Sequence, residues 1–512
     1  MVNNPRDLNE LIEFSIRHFG EKKAFVFQTN ETSFSGFGLL SRRVAKGLFD
    51  RGVRKGDRVA LFLRNCMEVP TTIFASVRIG AIPTFLNAFH KGEDVFHALS
   101  NCEPKVLIVE GLLYPNIEKQ ANRVKSIKDT YIVGEAQGEL TGKTSILPFD
   151  CLFAEGDAQE DSNEKDIAAI VYTAGTEGKP KGAMLSHKGI MRDLLDRVSL
   201  VKISSEIKAL ILAPFFHIAG FRNLLMSIYR GNTSYVIPFK AGEVLKLIHM
   251  EKIGFIVGAP AVYKLMFLRE DFEKYDLSSL KVVGVGGAPS TPEFVDRLFK
   301  TFPEALIYNG YGQTELTGGN IVNIGEDFRK RPDSVGKIAP GHELRIVDED
   351  GSSLPPRKVG EVAVKGDYVF KGYWKMPEAT SQKIRGGWLY TGDLGFLDED
   401  GFLYLVGRKS DMIIRGGENI YPQEVENCLE SHPSVEEAAV IGVPDEVMGD
   451  ETKAFVCLKR DTKITEKELQ DFCNSRIARY KIQKYIEFVN DIPHVAAGKI
   501  DRKLLRKKIS EV

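Results

Sequence analysis

Eight short hydrophobic runs between residues 57 and 312 constrain the fold of this chain more than any other feature. They read DRVALFL, KVLIVE, IAAIVY, ALILAP, TSYVIPF, GFIVGAP, LKVVGVGG and ALIYNGYG. Each has the length of a buried strand, and stretches with helical periodicity separate them. This alternation predicts an α/β fold in which mainly parallel sheets are covered by helices. Such sheets bind ligands beyond the carboxyl ends of their strands, so the residues after these runs are candidates for function.

The pattern changes after about residue 340. Short strands and Asp-Gly turns continue to residue 407, as in ELRIVDEDGSSL, and they predict a small antiparallel region. The polar, glycine-rich segment GRKSDMIIRGGENIYP follows and resembles a connection between domains. Beyond it we predict a small α+β domain, with one helix in YPQEVENCLESHP and another after the capping-box pair Thr465 and Glu468.

Composition limits the partners of the chain. A formal net charge of −1 gives no general attraction to nucleic acid. The six cysteines include no CxxC pair, which argues against a disulfide framework or a zinc site. The N-terminus MVNNPRDLNELIEF has no secretory pattern, and the apolar stretch ALILAPFFHIAGF is too short to cross a bilayer. We therefore expect a cytoplasmic protein without a transmembrane segment, and homo-oligomerisation stays open.

The glycine-rich segment VYTAGTEGKPKGAMLSH is a candidate phosphate-binding loop. A strand pattern enters it, a helix with Ser186 as N-cap leaves it, and its glycines allow backbone N–H groups to approach an anion. The hydroxyls of Thr173 and Thr176 and the ammonium groups of Lys179 and Lys181 are suitable phosphate donors. A Walker loop is excluded, because neither lysine is followed by Ser or Thr. From these residues alone, phosphate binding and a plain surface loop are equally supported.

Eight segments occur in an order that resembles one superfamily: YTAGTEGKPKG, APFFHIAGF, GVGGAP, NGYGQTE, GYW, WLYTGDLG, GRKSDMIIRGGENIYP and AAGKIDR. In this order and spacing the set resembles the adenylate-forming enzymes, which comprise acyl-CoA synthetases, peptide-synthetase adenylation domains and firefly luciferase. It is most like an acyl-CoA synthetase. The resemblance implies a large N-terminal domain over residues 1–407, a hinge at 408–411 and a small mobile lid over 412–512.

The resemblance also implies the reaction. A carboxylic acid and ATP form an acyl-adenylate with release of pyrophosphate, and the acyl group then passes to the thiol of CoA. Mg²⁺ is the implied cofactor, and Glu315 supplies the hard oxygen ligand that this ion prefers. The small-molecule acid, ATP and CoA are the implied partners, and no nucleic acid is expected.

The same resemblance assigns a set of residues to the nucleotide. Those implied in ATP and AMP binding are Thr173, Gly175, Thr176, Gly178, Lys181, Gly287, Ala288, Pro289, Asn309, Gly310, Tyr311, Gly312, Thr314, Asp393, Arg408 and Lys499. Tyr311 offers an aromatic face for adenine, and Asn309 offers an amide for its exocyclic amine. Asp393, with Arg408 as its partner, resembles the acid that holds both ribose hydroxyl groups.

Catalysis and lid movement are assigned in the same way. The residues implied in catalysis are Lys499, His217, Thr314 and Glu315. Lys499 resembles the mobile lysine that bridges carboxylate and α-phosphate in the first half-reaction, and His217 lines the carboxylate entrance. Ser410 is the hinge residue. After rotation, Arg415, Gly416 and Gly417 face the site and bind CoA.

Three residues depart from the superfamily pattern. Ala174 replaces the usual Ser, Glu177 stands where Thr or Ser is commonest, and Ser410 stands where Asp or Lys is usual. The first two make a non-catalytic nucleotide-binding module an alternative. A stand-alone adenylation enzyme that loads a carrier protein is a second alternative.

The class of carboxylic acid is inferred from two segments, HIAGFRNLLMSIY and VGAPAVYKLMF. By resemblance, they follow the positions that shape acyl pockets in the superfamily. Both are mostly apolar, which favours a medium- or long-chain fatty acid or another hydrophobic acid. An aromatic acid stays open. If Arg222 faces the pocket, it would instead bind the second carboxylate of a dicarboxylic acid.

Overall fold

A computed structural model describes residues 4–28, 30–136, 145–173, 179–319, 321–494 and 500–510. These ranges contain 26 strands and 15 α-helices in three sheets. The predicted fold class, an α/β protein with mainly parallel sheets and a small α+β region at the C-terminal end, is confirmed.

The strands in chain order are β1 (Lys23–Phe27), β2 (Asn30–Ser33), β3 (Arg58–Phe62), β4 (Ile82–Phe85), β5 (Val106–Glu110), β6 (Asp129–Val133), β7 (Ser145–Pro148), β8 (Ile167–Thr173), β9 (Lys181–Ser186), β10 (Lys208–Ile211), β11 (Ser234–Val236), β12 (Ile253–Gly258), β13 (Val282–Gly286), β14 (Leu306–Tyr311), β15 (Ile321–Ile324), β16 (Ser334–Ile338), β17 (Glu343–Val347), β18 (Gly360–Lys365), β19 (Ile384–Arg385), β20 (Trp388–Leu397), β21 (Leu403–Arg408), β22 (Ile413–Arg415), β23 (Glu418–Ile420), β24 (Val435–Asp445), β25 (Gly449–Leu458) and β26 (Tyr485–Val489).

The helices are α1 (Leu8–Phe19), α2 (Phe34–Asp50), α3 (Glu68–Arg78), α4 (Gly92–Cys102), α5 (Tyr114–Ala121), α6 (His187–Leu200), α7 (Ile218–Arg230), α8 (Ala241–Glu251), α9 (Pro260–Phe267), α10 (Pro292–Thr301), α11 (Glu326–Lys330), α12 (Pro377–Lys383), α13 (Pro422–Glu430), α14 (Glu466–Asn474) and α15 (Arg502–Ser510). Short 3₁₀ helices cover Phe149–Leu152, Phe272–Lys274, Thr314–Leu316, Lys409–Asp411 and Arg479–Lys481.

All eight hydrophobic runs form strands, namely β3, β5, β8 and β10 to β14. The first three belong to a seven-stranded sheet with the order β7-β6-β5-β3-β4-β8-β9, in which only β8 and β9 are antiparallel neighbours. The other five lie in a 14-stranded sheet, where β14, β13, β12, β10, β11 and β1 run parallel. Their side chains are almost all buried, because helices cover these strands.

The antiparallel region predicted for residues 340–407 is not a separate sheet. Strands β15 and β16 connect β14 to β21, so β17, β18, β20 and β21 extend the parallel sheet in antiparallel pairing. Residues near the end of β14 and in β20 are thereby held on one continuous framework.

The C-terminal region has its own five-stranded sheet, in which β23, β22, β25 and β24 are neighbours and β26 joins β25. The predicted helix α13 buries Val425, Cys428 and Leu429 against this sheet. Thr465 and Glu468 form the predicted capping box of α14. Both predicted helices are confirmed. The capping box could be predicted because it depends only on contacts within about one helical turn.

Two local features were not predicted. Strand β9 lies between the glycine-rich segment and helix α6, so β8 is followed by an antiparallel partner before the helix begins. Ser186 is nevertheless the N-cap of α6, and its side chain accepts the Gly189 N–H. The N-terminal elements α1, β1, β2 and α2 were not interpreted from sequence, and β1 pairs with β11 of the large sheet.

Within the described ranges, none of the helices combines the length and the apolar composition needed to span a bilayer.

Candidate active site

The candidate nucleotide residues gather where β13 and β14 end side by side. Gly286 and Gly310 are register partners of these two parallel strands. Gly287, Ala288 and Pro289 follow β13, while Tyr311 ends β14. This is the carboxyl edge of the sheet, where ligands of α/β proteins bind.

Asn309 and Gly312 lie on the same edge. Asn309 is a buried residue of β14 and pairs with Asn323 of β15. At Gly312 the backbone turns so closely that a Cβ atom would lie 1.5 Å from the carbonyl oxygen of Gly318. Only glycine fits this turn, which leads into the 3₁₀ helix with the buried Thr314.

Asp393 is the centre of the polar contacts at this edge. Its Oδ2 accepts hydrogen bonds from the Tyr311 hydroxyl and, at 3.2 Å, from Gln313 Nε2. Its Oδ1 lies 2.7 Å from Arg408 Nε. Asp393 and Arg408 are direct register partners on β20 and β21, which explains how residues so far from Tyr311 in sequence reach it. The structure therefore brings Tyr311, Asp393 and Arg408 together, and it adds Gln313, which sequence reasoning missed although it lies within NGYGQTE.

The carboxylate of Asp393 raises the pKa values of both Tyr311 and Arg408. Burial and the neighbouring Asp393 raise the pKa of Tyr311 well above its ordinary value. Burial by itself would lower the pKa of Arg408, but Asp393, with further contributions from Tyr311 and Glu315, outweighs it and raises that pKa. Arg408 therefore stays protonated and supplies a permanent positive charge, which suits an anionic ligand.

Glu315 is buried in the 3₁₀ helix Thr314–Leu316 and is oriented by Tyr373. The Tyr373 hydroxyl donates a hydrogen bond of 2.6 Å to Glu315 Oε1. Burial, and then Glu315, raise the pKa of Tyr373, so its hydroxyl remains a donor. Tyr373 belongs to the GYW segment, for which the sequence alone predicts no role.

Tyr373 also reaches the strand that follows the glycine-rich segment. It forms a β-bridge with Ala183 of β9, and Lys181 Nζ lies 5.4 Å from the centroid of its ring. The Trp374 N–H donates to the Gly182 carbonyl at 2.8 Å, so the segment pairs along β9. Tyr373 thereby connects Lys181 of the seven-stranded sheet with Glu315, which lies between β14 and β15 of the 14-stranded sheet.

The phosphate-loop prediction is only partly covered by the structure. Thr173 ends β8 and Lys181 begins β9, and the two are register partners. The predicted turn from strand to helix is therefore wrong in this detail, because the segment connects two antiparallel strands. Gly175, Thr176 and Gly178 lie outside the described residues, as do the unusual Ala174 and Glu177.

His217 is the N-cap of α7. Its Nδ1 accepts the Ala219 N–H at 3.2 Å, and its side chain is exposed. The preceding loop is fixed by Asn65, whose side chain bonds the carbonyl of Ala213 at 3.0 Å and the N–H of Phe215 at 2.7 Å. His217 is thus a helix N-cap at the surface and not a core histidine.

The predicted CoA residues form a β-hairpin. Arg415 and Glu418 are register partners, and Gly416 and Gly417 between them have φ values of 57° and 87°. A two-residue turn with both φ angles positive strongly favours glycine, which explains this pair without reference to a ligand. Arg415 Nε lies 2.8 Å from Glu451 Oε2. This ion pair does not connect Arg415 with Asp393 or with the side chains that bind Asp393.

Ser410 is exposed in the 3₁₀ helix Lys409–Asp411, so the predicted hinge is a short helical turn. Lys499 lies outside the described residues.

Comparison with known proteins identifies the chain. The family model "AMP-binding enzyme" matches residues 12–374, and "AMP-binding enzyme C-terminal domain" matches residues 424–499. The long-chain-fatty-acid–CoA ligase of Bacillus subtilis (strain 168) is 33% identical over 99% of this chain and 95% of its own length. The feruloyl-CoA synthase of an Amycolatopsis species is 33% identical over 92% of this chain and 93% of its own length.

A solved structure is similar over the same extent. The crystal structure of the anthranilate CoA ligase AuaEII in complex with anthranoyl-AMP has a TM-score of 0.90 and 30% identity, covering 100% of this chain and 98% of the other. The chain therefore belongs to the AMP-binding enzymes of the adenylate-forming superfamily and is an acyl-CoA synthetase-like, AMP-forming acid:CoA ligase, an activity that consumes ATP and CoA.

Proposed function

We propose that this ligase activates a hydrophobic monocarboxylic acid, with a medium- or long-chain fatty acid favoured, in a Mg²⁺-dependent reaction. The observation that carries the ATP-dependent part of the proposal is the convergence of Tyr311, Asp393 and Arg408 beside Glu315 and Lys181. An aromatic ring, a ribose-binding carboxylate and fixed cations at one sheet edge suit a nucleoside triphosphate. The choice of acid is supported by the two mostly apolar pocket segments and by the contacts of Arg222.

In the first half-reaction a carboxylate oxygen of the substrate attacks the α-phosphorus of ATP, the bond from this phosphorus to the oxygen bridging the β-phosphate breaks, and pyrophosphate leaves. Thr314 and Lys181 stabilise the charge that develops on the phosphate oxygens, and Lys499 joins them from the lid. Asp393 accepts hydrogen bonds from the ribose hydroxyl groups, and Arg408 Nε, 2.7 Å from its Oδ1, holds the carboxylate in place. His217, exposed at the start of α7, lines the carboxylate entrance.

The residues present fit a magnesium ion. Glu315 offers a carboxylate, the hard oxygen ligand that Mg²⁺ prefers, and the Tyr373 hydroxyl occupies only one of its oxygen atoms at 2.6 Å. When bound, the ion would neutralise charge on the phosphates. Tyr373 is then a positioning residue, because its hydrogen bond orients this carboxylate.

We predict that Glu315→Gln depresses adenylation by weakening the use of Mg²⁺-ATP, since a neutral amide is a poorer ligand for a hard cation. The measurement is the adenylation rate as a function of Mg²⁺ concentration. Glu326→Gln is a matched control, because Glu326 is an exposed carboxylate at the start of α11, which follows β15 of the same sheet. An unchanged Mg²⁺ dependence would remove Glu315 from the metal site.

The contacts of Arg222 support a monocarboxylic substrate. Its Nε and Nη2 atoms bind the two oxygens of buried Asp193 at 2.8 and 2.9 Å, and Nη2 also reaches the Gly319 carbonyl at 2.8 Å. The pKa of Asp193 is raised by burial, against the opposing charge of Arg222, so the carboxylate depends on this partner. A guanidinium committed in this way is poorly placed to bind a second substrate carboxylate.

The test is CoA-dependent AMP release with a panel of fatty, aromatic and dicarboxylic acids. We expect kcat/KM to be highest for a hydrophobic monocarboxylic acid. One relative is named for a long-chain fatty acid and another for the feruloyl group. Aromatic acids are therefore the second candidate class of substrate. Efficient turnover of a dicarboxylic acid would overturn the proposal. Arg222 would then again be the candidate to bind the second substrate carboxylate.

We also infer that residues 1–407 and 412–512 move relative to each other about the hinge 408–411. After adenylation, rotation would bring Arg415, Gly416 and Gly417 toward the acyl-adenylate, where the hairpin turn leaves room for the pantetheine arm of CoA. The open space around Gly417 supports this, since a Cβ there would meet nothing within 4 Å.

A further inference from the structure

Glu361, in strand β18, binds two parts of the molecule that sequence reasoning treated separately. Its side chain is 10% exposed. Oε1 accepts the backbone N–H of Gly392 at 3.0 Å, and Oε2 accepts a hydrogen bond of 3.1 Å from Lys409 Nζ. Gly392 immediately precedes Asp393, and Lys409 immediately precedes the hinge residue Ser410.

The first contact fixes the turn that carries Asp393. The Asp393 N–H donates to Thr391 Oγ1 at 3.1 Å, and that hydroxyl donates to the Val362 carbonyl at 2.8 Å. Strand β18 therefore holds the turn twice, through Val362 and through Glu361. A hydrogen bond from backbone to a buried carboxylate is among the stronger kinds, so Glu361 has a large share in orienting Asp393.

The second contact holds the first half of the hinge. Before Ser410, Arg408 pairs with Asp393 and Lys409 pairs with Glu361. After Ser410, Asp411 lies 3.2 Å from Arg506 of the C-terminal helix α15. The ion-pair partners thus change at Ser410 from the large sheet to the C-terminal region.

We propose that Glu361 is a positioning residue that links the orientation of Asp393 to the immobile side of the hinge. The inference rests on the proposed lid rotation. The Gly392 contact serves nucleotide binding, because it places the Asp393 carboxylate. The Lys409 contact serves rotation, because it confines the change in backbone angles to the residues after Lys409.

The two contacts can be separated by substitution. In Glu361→Gln the amide oxygen still accepts the Gly392 N–H, but the charge that holds Lys409 is lost. Lys409→Gln removes the same ion pair and leaves the hydrogen bond between the Gly392 N–H and Glu361 unchanged. Glu361→Ala removes both contacts. Glu399→Gln is the matched control, because Glu399 forms an exposed ion pair with Arg357 in the neighbouring hairpin.

The experiment measures AMP affinity by calorimetry and the single-turnover rates of the two half-reactions. Lys409 is about half exposed, so Glu361→Gln and Lys409→Gln are each expected to change the ratio of the two rates by about two- to fivefold. Neither is expected to alter AMP affinity. The double variant is expected to match the single ones, since both remove one interaction. Glu361→Ala is expected to weaken AMP binding roughly tenfold or more.

Unaltered AMP affinity in a folded Glu361→Ala protein would overturn the positioning role. Additive effects of Glu361→Gln and Lys409→Gln would overturn the link to the hinge, and this comparison stands even if Glu361→Ala does not fold. Failure of the proposed lid rotation looks different, because Lys499→Ala would then slow both half-reactions equally while the Glu361 variants could still change AMP affinity.

Discussion

Replacing Lys499 by alanine is expected to lower the rate of acyl-adenylate formation about 10²- to 10³-fold, the usual loss for one preorganised charge stabiliser. The second half-reaction is expected to survive. In the proposed cycle Lys499 serves only while carboxylate and ATP react, and lid rotation then removes it. The measurement is a pair of single-turnover rates, one from acid plus ATP and one from supplied acyl-adenylate plus CoA.

A matched control is available in the same C-terminal region. Lys503 is an exposed lysine at the start of α15, and Lys503→Ala is expected to leave both rates close to those of the unmodified enzyme. If Lys499→Ala instead slows both half-reactions equally, the alternating-lid proposal is wrong and Lys499 is a structural contact.

The second large effect is expected at Asp393. Asp393→Asn keeps the size of the side chain but removes the anion that Arg408 binds at 2.7 Å and that accepts from Tyr311 and Gln313. The ribose hydroxyl groups would lose a charged acceptor. We expect the KM for ATP to rise roughly 10- to 100-fold, because hydrogen bonds to a charged group are the strong ones. Steady-state kinetics with ATP and calorimetric titration with AMP both report this change.

Asp400→Asn is the control for Asp393→Asn. Asp400 lies in the following hairpin turn, where its exposed carboxylate pairs with Arg331. Its substitution is expected to leave the KM for ATP unchanged. Equal ATP affinity in Asp393→Asn and the unmodified enzyme would refute a nucleotide role for this acid.

Features that depend on neighbouring residues could be read from the sequence. The hydrophobic runs became strands, Ser186 capped α6 and the Thr465 pair capped α14, since each depends on contacts within a few residues. Strand β9 was missed for the opposite reason. Its residues KGAMLS contain little that favours a strand, and pairing with β8 and with the segment around Tyr373 stabilises it.

In the candidate site, too, the sequence indicated the residues and the structure showed their contacts. The sequence, through its ordered motifs, pointed to Tyr311, Glu315, Asp393 and Arg408, and the structure places Tyr311 and Arg408 on one carboxylate. The functional roles of these residues stay predictions, and the Glu315 and Asp393 variants test two of them. The motifs could name the residues because each motif is a short continuous stretch.

By itself, the sequence determined the alternation of strands and helices, the ends of several helices and the set of candidate residues. Only the tertiary structure decided that Tyr373 joins Lys181 to Glu315, that Arg222 is committed to Asp193, and that Glu361 binds both the Asp393 turn and Lys409 of the proposed hinge. The physical reason is the range of the contacts. Helix caps and strand patterns act between close neighbours in the chain, whereas these contacts join residues that are distant in sequence and meet only when the sheets are assembled.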